Sequence, residues 1–221
     1  LKEQPLVSYY EEILLEGLKL AHADAERGVL DEERLQGIRD VVAEIMDDLS
    51  THTDKPADLQ EDAEAAEKSP LAHLDKAEEP RDLVLAEHWQ APKAVLCIPG
   101  LGVLDEAAAM MVAQLVQREG IGARTEQADV LLMSRIFGWD TDGVALICLC
   151  YIENATFAQI RYAIRRIRRR LPEVKILVAL LGDAAESNTQ GALGSRDIFQ
   201  HSLRATVQTI LTLASSPFDA D

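Results

Sequence analysis

Aromatic residues supply only 5% of the chain, and there are just three cysteines, four methionines and two tryptophans. A core made from this composition has to be aliphatic. Apolar residues reach 48%, which is enough for one in a chain of 221 residues, the size of one large domain or two small ones. The cysteines are Cys97, Cys148 and Cys150, each inside an apolar run and none at metal-ligand spacing. That excludes a disulfide scaffold and a zinc ribbon, and predicts buried, reduced thiols. Cys148 and Cys150 are expected on one face of a strand, where i and i+2 side chains sit too far apart for good disulfide geometry. Long apolar runs are also missing. The longest, residues 144–152, is far short of the roughly 20 residues a membrane helix needs, and no signal peptide is predicted from the residues given.

Positive charge is scarce as well. Lysine and arginine number 22 against 38 acidic residues, a net charge of −16. The chain as a whole repels nucleic acid and anionic lipid surfaces, and no nucleic-acid partner is expected. The five histidines, His22, His52, His73, His88 and His201, are dispersed, so no metal and no cofactor is predicted from them. Ser134, Ser187 and Ser195 lack the strand–turn–helix setting of a nucleophile elbow, and no catalytic residue is assigned.

The first region, residues 1–52, reads as an antiparallel helical hairpin. Ser8 and Glu11 have the spacing of a capping box, with Tyr10, Ile13, Leu14, Leu18 and Ala21 following at helical intervals. Gly28 is a natural stop and Asp31 a cap for the second helix, whose apolar stripe is Leu35, Ile38, Val42, Ile45 and Leu49. Two helices bury little by themselves, so the remaining apolar surface must meet either the rest of the chain or a second copy of the hairpin. Residues 53–92 read as an acidic linker, with residues 83–89 apolar enough to dock on the domain that begins at residue 93.

Residues 93–221 alternate between strand and helix. Apolar runs at 94–98, 144–152 and 175–181 predict buried strands, and 123–127 a more polar one. Helices are expected at 105–119, 129–137, 156–171 and 197–213. The pattern implies an open parallel α/β sheet of four to five strands, Rossmann-like in the manner of flavodoxins and cobalamin-binding modules.

Ligands of such sheets sit beyond the carboxyl ends of the strands. Three loops lie there, and the residues in them that could touch a ligand are Gly100, Gly102 and Asp105, then Glu153 and Asn154, then Gly182 and Asp183. The first loop superficially resembles a phosphate loop. It lacks the third glycine of the dinucleotide fingerprint and the Lys-Ser/Thr of a P-loop, and Asp105 and Glu106 would oppose a phosphate. Both are better explained as a helix cap. Asp183 closes a strong strand and is the best single acid, although a residue so placed is more often a loop cap than a catalytic acid.

The one basic concentration is Arg161, Arg165, Arg166, Arg168, Arg169 and Arg170. A solvated outer helix face accounts for it, with the last arginines favoured at the negative helix end. The sharper reading is a docking patch for an acidic surface: residues 60–67 of the chain itself, a membrane or another protein. No aromatic or glycine-rich platform for nucleic acid accompanies it in the sequence.

Residues 5–12 followed by 28–34, then 100–109, 142–151 and 161–172, resemble the cytoplasmic C-terminal tail of bacterial permeases of the autoinducer-2 exporter family. The resemblance implies a non-enzymatic regulatory or docking module, tethered to the inner membrane by the membrane-embedded part of the same polypeptide, with a homo-oligomer forming through the hairpin. The start at Leu1 rather than Met fits that expectation. The α/β part also resembles a degenerate cobalamin-binding domain, which implies a small-ligand sensor. The loop at residues 100–105 has no histidine to reach a cobalt. A hydrolase or transferase is the remaining alternative.

Overall fold

A computed structural model describes residues 5–50, 85–132, 135–182 and 197–215. The first helix runs without a break as α1 (Leu6–Tyr9), a π-helical segment (Tyr10–Leu15) and α2 (Glu16–Glu26). Gly28, at φ 74°, adopts the left-handed conformation that ends it. Asp31 then caps α3 (Glu32–Asp48), its side chain accepting from the Arg34 backbone N–H at 3.0 Å.

The Ser8–Glu11 capping box does not form. The helix starts earlier, after Pro5, and Ser8 lies buried within it. Both residues are drawn into tertiary contacts instead. Ser8 accepts from the Arg204 guanidinium at 2.8 Å, and the Glu11 carboxylate accepts from the Leu203 backbone N–H at 3.0 Å.

The sheet has five parallel strands: β1 (Val95–Pro99), β2 (Ala123–Thr125), β3 (Leu146–Tyr151), β4 (Lys175–Leu180) and β5 (Asp197–Gln200), in the order β2-β1-β3-β4-β5. It is open and Rossmann-like, as the alternation predicts. Strands β1 and β3 are buried along their whole length, which explains their unbroken apolar sequences. On one face lie α4 (Val103–Arg118) and α6 (Leu203–Ser215), and on the other α5 (Phe157–Arg170).

Two predicted helices are corrected. Residues 197–200 are not the start of the last helix but the fifth strand, in register with β4 from Ile176↔Asp197 to Ala179↔Gln200. Hydrogen bonding to β4 decides this, since Ile198 and Phe199 suit either state; the helical spacing starts only at Leu203. Residues 129–137 form no α-helix among the described residues, but two 3-10 turns, Ala128–Leu131 and Ile136–Gly138.

The hairpin packs on α4 and α6 as an outer layer, and one apolar core joins it to that face of the sheet. Gln114 of α4 fixes it at both helices. It accepts a short hydrogen bond from the buried Tyr10 hydroxyl and donates to the Met46 carbonyl at 2.8 Å. Burial pushes the Tyr10 hydroxyl up to about 12, so it stays a donor at any ordinary pH. Of the segment predicted to dock ahead of β1, Trp89 is buried and Ala86 bonds to the Ala214 carbonyl. The outer side of the hairpin keeps an apolar groove of about 620 Å³ between α2 and α3. No helix among the described residues is long and apolar enough to cross a membrane.

Candidate functional site

Strand order reverses at β1, which has β2 on one side and β3 on the other. The crevice beyond the carboxyl ends of β1 and β3 is therefore the natural ligand position of this sheet. The structure brings Gly100, Gly102, Asp105, Glu153 and Asn154 together there, and Gly182 joins them from the end of β4. Asp183 lies outside the described residues.

The chain's own side chains fill this crevice. A Cβ on Gly100 would stand 1.8 Å from the Tyr151 ring, so the absence of a side chain there seats an aromatic ring. A Cβ on Gly102 would stand 2.1 Å from Glu153 Oε1, and one on Gly182 2.2 Å from the Ile152 carbonyl oxygen. None of these three glycines has a left-handed φ. Each is needed for close approach, and what approaches is the end of β3 or the loop that follows it.

Asp105 is completely buried, and it does not cap its own helix. Oδ2 accepts from the Leu101 backbone N–H at 2.8 Å, while Oδ1 accepts from Ile152 at 2.6 Å and Glu153 at 3.0 Å. One carboxyl thus ties the loop after β1 to the loop after β3. Burial raises its pKa to about 6 against the pull of these N–H groups, and the Glu153 charge adds to the rise.

The start of α4 is served by Glu153 instead. Its half-buried carboxylate accepts from the Leu104 backbone N–H, in the position an anion takes at a helix N-terminus. Burial raises its pKa, the Leu104 bond opposes that, and the Glu32 charge adds to it. Asn154 donates to Glu26 at 2.8 Å, so the end of α2 leans on the same edge. Glu106 faces Arg39 of α3 at 3.8 Å. A phosphate arriving here would have to expel Glu153 and face Asp105, Glu106 and Glu32. No group of acidic, histidine and cysteine side chains among the described residues could hold a metal ion.

The six arginines do not act alike. Arg168 turns inward, donating to the Pro172 carbonyl at 3.1 Å, to the Val174 carbonyl, and to Asp197 of β5 at 2.9 Å. It fastens α5 to the edge strand and does not belong to an outer patch. Arg166 spans the Tyr162 ring, 4.5 Å from its centroid, and donates to the Leu131 carbonyl. Arg161 lies over the Phe157 ring at 5.5 Å. Arg165, Arg169 and Arg170 are exposed. Among the described residues no carboxylate pairs with Arg161, Arg165, Arg169 or Arg170. Tyr162 and Leu132 are exposed beside them, at 58% and 50%.

The sequence reading missed the aromatic partners of the arginines and the capping box of α5. Thr156 accepts from the Gln159 backbone N–H, and Gln159 accepts in return from the Thr156 backbone N–H at 2.8 Å. A threonine followed three residues later by glutamine was the available signal. Comparison of the chain with family models, with curated proteins and with solved structures finds no significant match.

Proposed function

We propose that the chain is a non-enzymatic docking and regulatory module whose working surface is the outer face of α5. The observation that carries this reading is the contrast between two sites. The crevice where such sheets bind ligands is filled by Tyr151 and Glu153, whereas four arginines of α5 have no acidic partner among the described residues. An exposed guanidinium row in a chain of net charge −16 is a local reversal of sign, which suits recognition of an acidic surface.

A cation exchanger tests this directly. At neutral pH and low salt the intact chain should be retained on a sulfonate matrix despite its net charge, and R165Q/R169Q should not. Flow-through of the unaltered chain removes the docking reading.

In its wider setting the module serves as the cytoplasmic tail of an inner-membrane permease, with the membrane-embedded part of the same polypeptide as its partner. The reading frame ahead of Leu1 should then encode several hydrophobic spans; a start codon immediately before it would remove this part. A second copy of the chain would meet the first at the hairpin groove, where Ile13 and Val41 are exposed. Sedimentation equilibrium against I13E tests that contact, and a monomer at high concentration rejects it. The small-ligand sensor is the weaker reading, because Glu153 would first have to leave the crevice.

A further inference from the structure

We infer that the α5 face docks on an anionic lipid bilayer, an inference that rests on the docking reading and names its partner. Three observations carry it. The first is chemical. Arg161, Arg165 and Arg169 recur every four residues along one ridge, and Tyr162 and Leu132 are exposed among them. Arginine and tyrosine side by side are the residues that settle at a headgroup boundary, the guanidinium meeting phosphate and the ring lying at its level. Two of the guanidiniums already lie over rings, Arg161 over Phe157 and Arg166 over Tyr162, so part of their freedom is lost before contact.

The second observation is shape. Among the described residues the face is the ridge of a single outer helix with the Ala128–Leu131 turn beside it, not a groove between two helices.

The third is the distribution of charge. From residue 5 to residue 50 there are twelve acidic and four basic residues, whereas α5 has six basic and no acidic ones. The hairpin lies on the far side of α4 and α6, on the opposite face of the sheet from α5. With layers spaced by about 10 Å, the acidic layer is about 30 Å from the arginines. Screening at physiological salt acts over about 8 Å. A bilayer touching α5 therefore meets the arginines, and the acidic hairpin faces away.

Sedimentation with vesicles of phosphatidylcholine, with and without phosphatidylglycerol, tests the inference on the complete chain. The chain should pellet with the anionic vesicles only, and added salt should release it. Each basic residue near an anionic surface contributes roughly fivefold, so R165Q/R169Q should bind roughly twenty-five-fold more weakly. R165K/R169K should bind nearly as well as the parent, because a lipid surface reads charge, whereas a protein carboxylate reads the planar fork of arginine. R168Q should lower stability, since it frees Asp197, yet leave vesicle binding unchanged.

Equal binding to neutral vesicles, or loss of binding in the lysine variant, would overturn the lipid as partner. So would anionic-vesicle binding seen only after deletion of residues 60–67, which would assign the face to the chain's own acidic segment. Retention on the sulfonate matrix without vesicle binding overturns the lipid and leaves the docking reading standing. Failure of both assays removes both.

Discussion

The Glu153 carboxylate lies 2.1 Å from where a Cβ on Gly102 would be, and it accepts the Leu104 N–H at the start of α4. Glycine is required at 102 because the chain supplies its own anion to this helix. The substitution G102A should push Glu153 aside and cost about 1–2 kcal/mol, the worth of a charge-assisted bond to a helix end. In an E153A background the same substitution should cost little. A double-mutant cycle by urea unfolding measures the coupling, and additive costs would mean that Glu153 does not stand in the way.

Glu11 and Leu203 are far apart in sequence, yet the Glu11 carboxylate accepts the first N–H of α6, at 3.0 Å. Ser202 caps the same helix through the Ala205 N–H at 3.1 Å. Removing one of two caps should cost about 1 kcal/mol in E11A. S202A should cost a similar amount, and the pair should cost more than either alone. If Glu11 capped its own helix, E11A would not lower the hydrogen-exchange protection of Leu203 and Arg204, and the structure predicts that it does.

Glu11 also shows how far the sequence could be read. Its spacing from Ser8 matches a local motif, and a local motif is all that spacing can report. The partner it takes belongs to the other end of the chain and is set by packing. The same holds for Asp105, which looks like a cap from its place in the first turn of α4 but holds two loops together. Strands β1, β3 and β4 were legible because burial on both faces leaves an unbroken apolar signature. Strand β5 was not, because its four residues are only half-buried at the edge. The arginine cluster was visible as composition. The division into Arg168, which points inward, and Arg165 and Arg169, which point out, depends on where β5 and Asp197 lie.

Asp105 should leave a mark on the pH dependence of stability. Its carboxyl has an ordinary value of 3.8 and is raised to about 6 in the folded chain. The folded state therefore holds this proton more tightly than the unfolded state does. Stability from this group is complete below about pH 4, falls as pH rises through 4 to 6, and is level above that, a change on the order of 3 kcal/mol. D105N abolishes the titration while its amide opposes the Leu101 N–H. The difference in urea midpoint between D105N and the parent should narrow as pH rises from 4 to 6. A constant difference would show that Asp105 is ionised throughout.

Cys148 and Cys150 bring their sulfurs to 3.8 Å on one face of β3, with Cys97 opposite Cys148 in the register of β1. All three thiols are completely buried beneath α4. Hydrogen bonding to Cys150 and Cys97, together with burial, pushes the Cys148 thiol well above its ordinary value. For Cys150 the bond with Cys148 acts downward, but burial and the neighbouring Cys97 and Asp105 outweigh it. Thiolate is the reactive form, so Cys148 and Cys150 are doubly protected, by lack of access and by retained protons. A disulfide between them would need sulfurs about 2 Å apart, which the continuous pairing of β3 with β1 and β4 resists. The folded chain should release no colour from Ellman's reagent on the timescale of mixing, and all three thiols should react in denaturant. Its mass should show no loss of two hydrogens after mild oxidation. Rapid modification of the folded chain would mean that β3 opens to solvent, and the sheet would then be less rigid at its centre than its burial implies.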